Sequence, residues 1–157
     1  MLVVALIGLV AAFGVSSPAF QPGQPIPVEY TCDGQNVSPA LVWTAPPKGT
    51  KAFALIMDDP DAPGGTFTHW TAWNIPLKAR GLKQGARPAR QGITDANRVG
   101  YFGPCPPPGA PHRYVFKLFA LRSTLALPSG SSRAQLQQAM KGKVLRMVRL
   151  IGTYQRS

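Results

Sequence analysis

Two stretches of the chain carry strong strand patterns. Lys51–Met57 contains Ala-Phe-Ala-Leu-Ile-Met, apolar at every position, and it stops at Asp58-Asp59-Pro60. A short unbroken apolar run that ends in a turn predicts a strand buried on both faces. His112–Leu121 alternates instead. His112, Tyr114, Phe116 and Leu118 fall on one side, and Arg113, Val115, Lys117 and Phe119 on the other. His69–Ile75 predicts a third strand, with His69, Thr71 and Trp73 on one face and Trp70, Ala72 and Asn74 on the other. Shorter strands are expected at Phe13–Phe20, broken by Pro18, and at Ala40–Thr44, closed by Pro46-Pro47. Val28–Thr31 reads as an extended piece, and Asp33-Gly34-Gln35-Asn36 as a turn.

One helix is expected. Ser132 with Gln135 three residues on forms a capping-box pattern, and Leu136, Ala139 and Met140 follow at helical spacing. Gly142 ends or kinks it. Val144–Tyr154 reads as a mixed helix end and final strand. Residues 77–98 are basic and weakly patterned, which predicts a long excursion with little regular structure.

Composition sharpens this picture. The chain has 157 residues, 17 prolines and 16 glycines. That length predicts one domain with a real core, and strand-like runs punctuated by Pro and Gly favour a loop-rich β architecture. The net charge of +11 points to a basic face toward anions, either nucleic acid or phospholipid. No Lys or Arg precedes Lys48. The basic clusters at 78–90 and 141–156 lack interleaved aromatics, which argues against stacking on single strands and against specific nucleic-acid binding. Residues 2–12 are an apolar run too short to span a bilayer. It has the length of a secretory h-region with Val10-Ala11-Ala12 as a cleavage site, so residues 1–12 are read as a signal remnant, with a first core strand as the alternative. Export gives a periplasmic or secreted protein, and a core strand a cytoplasmic one. Only export would place Cys32 and Cys105 where a disulfide is permitted. Two cysteines without CxxC spacing and two histidines argue against structural zinc, and no cofactor is called for.

Candidate chemistry gathers in two proline-bound segments. The first, Asp58–Trp70, holds three of the six acids and His69. The second, Gly103–Tyr114, holds His112 after five prolines and two glycines in nine residues. Prolines fix φ and remove donors, so such turns hold carboxylates and imidazoles in one geometry. His112 and Tyr114, one pleat apart beside glycine N–H groups, can bind a phosphate or carboxylate oxygen. Arg113 points the other way and needs a carboxylate, for which Asp61 is the candidate.

Asp59-Pro60-Asp61-Ala62-Pro63, His69-Trp70, Gly103-Pro104-Cys105-Pro106-Pro107 and His112-Arg113-Tyr114 occur in an order that resembles the phosphatidylethanolamine-binding protein family, in its bacterial, Raf kinase inhibitor-like branch. Tyr30-Thr31-Cys32-Asp33-Gly34 and Gly152-Thr153-Tyr154 add to the likeness. The resemblance covers roughly Phe13 to Arg156. It implies a mainly β fold: an antiparallel β-sandwich of a large central sheet and a smaller one, with one or two short α-helices, over residues 13–157. It also implies an anion pocket of Asp59, His69, Gly103, Pro104, Pro106, His112 and Tyr114, braced by an Asp61–Arg113 ion pair. Phe102 stands where a small residue is expected and would narrow the pocket mouth. Cys32 and Cys105 fall inside family motifs and become a candidate disulfide pair.

The leading expectation is a non-catalytic binding protein for phosphate, a phospholipid head group or another phosphorylated ligand, possessing no metal and acting as monomer or homodimer. A kinase or protease partner and peripheral contact with an anionic membrane are further expectations. One alternative is an inhibitor or scaffold acting through the basic surface at 78–90. The other is a metal-dependent hydrolase using Asp59, Asp61 and His69.

Overall fold

The structure, a computed structural model, describes residues 12–157. The signal-remnant reading of residues 1–12 therefore falls, apart from Ala12, outside the described residues. The strands are β1 (Val15–Ser16), β2 (Leu41–Trp43), β3 (Ala52–Asp59), β4 (Phe67–Pro76), β5 (Gly81–Leu82), β6 (Arg90–Gln91), β7 (His112–Leu121) and β8 (Val144–Tyr154), with helix α1 at Arg133–Met140 between the last two. Five strands form one antiparallel sheet in the order β6-β4-β3-β7-β8, and β1-β2-β5 form a smaller antiparallel sheet. This is the mainly β, two-sheet architecture expected from the sequence.

The central strand explains its own sequence. β3 is buried at all eight positions because both faces are covered. On one face Phe53, Leu55 and Met57 meet Trp70, Phe116 and Leu118 of the same sheet and Leu41 and Trp43 of the small sheet. On the other face Ala54 and Ile56 pack with Trp73, Leu121 and Leu125, under Leu136 and Met140 of α1. Removing this much apolar area from water is the main force holding the three layers together. The α1 capping box is present: Ser132 Oγ accepts from the Gln135 N–H and the Gln135 side chain accepts from the Ser132 N–H.

Several expectations needed correction. Val28–Tyr30 is a turn of 3-10 helix, not an extended piece, and only Val15–Ser16 of the first predicted strand pairs. Val144–Tyr154 is strand throughout, with no helical end. Its pairing with β7 runs from Leu121↔Val144 to His112↔Tyr154, and this decides it over local spacing. β8 ends the five-stranded order; residues 23–26 bond its outer side at Ile151 and Thr153, and along the rest Arg146 and Arg149 discourage pairing with further strands. The excursion contains the two-residue strands β5 and β6 but is otherwise irregular.

The faces of β4 also differ from a simple alternation. Met57 pairs with Trp70 but Asp58 with Thr68, so His69 is an extra residue in the ladder. A bulge of this kind bends the strand and re-aims its side chains. His69 consequently shares the inner side with Trp70: its ring lies 5.2 Å from that of Tyr114, which sits in the same inner cluster as Trp70. A second register shift lies between Phe53 and Leu55. Near it Asn74 has φ 53°, and its side chain bonds the backbone N–H and C=O of Leu125.

Candidate functional site: a histidine–aspartate cavity at the end of the large sheet

The C-terminal end of β3, the start of β7 and the bulge in β4 meet at one end of the sheet. The turn after β3 organises the carboxylates. Asp59 Oδ1 accepts from the Asp61 N–H at 2.8 Å, an Asx turn around Pro60. The other oxygen of Asp59 accepts from His112 Nδ1 at 2.7 Å, with the two side chains only 5% and 11% exposed. A carboxylate oxygen only accepts, so Nδ1 carries the proton and Nε2 is left for a ligand.

His69 is fixed from several sides. Its Nδ1 lies 2.7 Å from the Phe102 carbonyl, and the Phe102 N–H returns a bond to the His69 carbonyl at 3.0 Å. The Phe102 ring stacks nearly parallel to the imidazole, with Phe67 and Tyr114 against it as well. Burial pushes the His69 pKa down, outweighing the Phe102 carbonyl and Asp59, which pull it up. A neutral ring donating from Nδ1 to a carbonyl presents a lone pair at Nε2. Tyr114 is fully buried, and among the described residues its hydroxyl has no hydrogen-bond partner. Burial and the nearby Asp59 carboxylate push its pKa up, so the phenol keeps its proton.

Asp59, His69, His112, Phe67 and Pro106 line a cavity of about 220 Å³, closed further by Ala62, Pro63, Cys105 and Pro107. Tyr114 stands behind the His69 ring and not in the wall. Gly103 and Pro104 are not in the wall either. The Gly103 N–H donates to Asn36 Oδ1 at 2.7 Å, and its Cα is packed so tightly on the Tyr30 carbonyl that no side chain fits. The Pro104 carbonyl is taken by the Cys32 N–H. These two residues anchor the proline loop and leave the cavity to its later members. Cys105, the next residue, is joined to Cys32 by a disulfide, with Cα atoms 5.4 Å apart. Phe67, Pro63 and Pro107 were not named as lining residues from the sequence, because an apolar residue at a strand start or in a proline turn gives no local sign of facing a cavity.

Asp61 and Arg113 brace the cavity from outside. Arg113 Nε and Nη2 donate to the two Asp61 oxygens at 2.9 and 2.8 Å, and the Arg113 backbone N–H adds a third bond at 2.8 Å. The guanidinium bonds hold the Asp61 carboxyl down, at about 2. In Arg113→Ala, Asp61 should titrate higher, part of the way to the ordinary value of about 3.9, because the backbone N–H at 113 still donates to it. An NMR pH titration reads this directly, and an unmoved Asp61 would show that the fork is not what depresses it. Because the folded value is the lower one, the stabilisation from Asp61 is complete above about 3.9 and is lost as pH falls through about 2. Among the described residues, no three His, Cys, Asp or Glu side chains converge as a metal-ligand set.

The profile described as phosphatidylethanolamine-binding protein matches residues 16–155, nearly the whole described chain. The chain belongs to the phosphatidylethanolamine-binding protein family. Within it, the likeness is to YbhB/YbcL-type members. A UPF0098 protein of Aquifex aeolicus is 49% identical over 154 residues, covering 93% of this chain and 90% of the relative. A Mycobacterium tuberculosis relative named as lipoprotein LppC is 40% identical over 144 residues, covering 90% of this chain and 71% of its own length. Among solved structures, a phosphatidylethanolamine-binding protein homologue of Chlamydia trachomatis superposes with a TM-score of 0.88 at 37% identity, covering 93% of this chain and 99% of that one. Escherichia coli YbcL gives 0.87 at 32% identity, covering 94% and 100%. No described helix of this family member is long and apolar enough to cross a membrane.

Proposed function

We propose that the histidine–aspartate cavity binds a small phosphate-bearing ligand and performs no chemistry on it. The observation that carries this reading is the buried Asp59–His112 pair. Asp59 fixes His112 by Nδ1 and balances its charge when the ring takes a second proton, and Nε2–H then donates to an oxyanion. Proline walls keep the cavity formed without a ligand, which limits the ordering cost of binding. A volume of about 220 Å³ suits inorganic phosphate or a compact phosphorylated head group.

Non-catalytic binding fits how the reactive groups are engaged. The sulfur beside the cavity, Cys105, is tied in the disulfide. Asp59 accepts from His112 and the Asp61 backbone, and Asp61 from Arg113. The carboxylates that a metal-dependent hydrolase would need are already committed. The same reading places the protein in an oxidising compartment outside the cytoplasm. In its favour are the Cys32–Cys105 bond, the apolar run at 2–12 and the relative named as a lipoprotein. The mass of the protein recovered from cells tests this, since an uncleaved, reduced chain would refute it.

Phosphate titrated into the full chain should move both histidine ring resonances saturably, with a dissociation constant on the order of 1 mM, about 4 kcal/mol of binding. Phosphoethanolamine as a second probe separates free phosphate from a head group. His112→Ala should abolish the response at the His69 ring. Shifts at His69 that survive His112→Ala unchanged would overturn the proposal.

A further inference from the structure

A second cavity, of about 320 Å³, lies between the stretches 36–38, 85–91 and 98–101. Its volume falls at the lower end of the range for small-molecule sites. The polar residues around it are Asn36, Ser38, Arg87, Gln91 and Arg98, and no acidic residue lines it. Among the described residues, neither arginine has a carboxylate within ion-pair distance. The two amides are oriented by donors that leave them no choice. Asn36 Oδ1 accepts from the Gly103 N–H and Gln91 Oε1 from the Trp70 indole N–H, at 2.7 and 2.8 Å. Each amide oxygen is thus occupied, and each NH₂ is the end left over. Ser38 is 2% exposed, and among the described residues its hydroxyl has no partner. A buried hydroxyl without a partner is costly unless something else bonds it.

Two guanidiniums, two amide NH₂ groups and a hydroxyl around one cavity, with no carboxylate to compete, form a donor set for a doubly charged oxyanion. The geometry points to a second ligand site, formed by Ser38, Arg87 and Arg98, that takes a phosphate group. Val37, Ala86 and Val99 complete the wall and give an organic body an apolar surface. The basic cluster at 78–90, read in the sequence as the candidate contact of an inhibitor or scaffold, acquires a specific use here through Arg87. The backbone is shaped for the purpose: Gly85 and Gly100 take positive φ values of 70° and 102°, turning the chain around the cavity. This site shares no lining residue with the Asp59–His112 cavity. Either can bind while the other does not.

The test is an amide chemical-shift titration of the full chain at matched ionic strength, using inorganic phosphate and glycerol 3-phosphate as probes. Saturable shifts are expected at Ser38, Gly85 and Gly100, and they should persist in His112→Ala, which silences the first cavity. Tighter binding of glycerol 3-phosphate assigns the site to an organic phosphate; equal binding assigns it to the free ion. Arg87→Gln with Arg98→Gln should weaken binding at least about tenfold. Both arginines are exposed, so the fold should be retained. The single variant Ser38→Ala, close to isosteric, checks the buried hydroxyl separately and should weaken binding severalfold. Absence of saturable shifts at these amides, or shifts unaffected by loss of both arginines, would overturn the inference.

Discussion

Replacing Cys32 and Cys105 together by serine is expected to lower the free energy of unfolding by about 3 kcal/mol. The bond spans a sequence separation of 73 residues, and a cross-link of that size removes about 4 kcal/mol of chain entropy from the unfolded state. The observed loss is expected to be smaller, because the unfolded chain retains some structure without the cross-link. The folded junction itself is also held by other bonds. The Cys32 N–H reaches the Pro104 carbonyl, Tyr101 Oη donates to the Tyr30 carbonyl, and the Gly103 N–H reaches Asn36. These are local hydrogen bonds, each contributing about 1 kcal/mol net, and they position the loop without constraining the unfolded chain. Urea unfolding of oxidised wild type and the double variant measures the difference. A loss below about 1 kcal/mol would mean that the bond has little to do with stability. Because Cys105 lines the histidine–aspartate cavity, phosphate affinity in the same variant reports whether the bond also holds the proline wall in place.

What the sequence revealed depended on how each segment is buried. β3 was legible because burial on both faces forces an apolar residue at every position. β7 was legible because its two faces meet different surroundings: Tyr114, Phe116 and Leu118 face the inner core, while Arg113 is exposed and Lys117 partly so. β8 misled because most of its length has only β7 as a ladder partner, and its basic residues imitate a helical pattern. The faces of β4 misled because alternation assumes an unbroken ladder, and the bulge at His69 violates it.

The site shows the same division. Asp59, His69 and His112 carry chemistry in their residue type and were named from the motifs and the family resemblance; the structure brings the three to one cavity. The inward-facing Tyr114 was found as well, although it stands behind the wall. Gly103 and Pro104 were placed in the pocket by resemblance, but the structure turns them toward Tyr30, Asn36 and Cys32. The arginine-lined cavity was invisible because its walls come from separate stretches around residues 36–38, 85–91 and 98–101. The sequence holds no pattern that joins them.

Asp58→Ala should cost about 2–3 kcal/mol and loosen α1. Read as one of several turn acids, Asp58 in fact points away from the ligand cavity. Its side chain is 2% exposed on the back of the sheet. Oδ2 accepts from Arg133 Nη2 at 2.8 Å and from Lys117 Nζ at 3.2 Å, and Oδ1 has no partner. The partners lie 59 and 75 residues away, so nothing local announces the network. Arg133 opens α1, and the carboxylate therefore ties the start of that helix to β3 and β7. Removing one member of a buried ion network typically costs about 3–5 kcal/mol. The lower figure holds here because Lys117 and Arg133 are 28% and 23% exposed and can turn to water. Burial pushes the Asp58 pKa up, despite Arg133 and Lys117 pulling it down. A raised folded value makes the contribution of Asp58 largest below its unfolded value of about 3.9, and part of it is lost as pH rises through the folded value. The gap in unfolding free energy between wild type and Asp58→Ala should therefore narrow as pH rises through that range, opposite in sign to the effect of Asp61. Hydrogen exchange at Leu136–Met140 checks the structural half of the claim: α1 should open more readily in the variant while β7 stays protected. An α1 that exchanges as slowly as in wild type would assign Asp58 to the sheet alone.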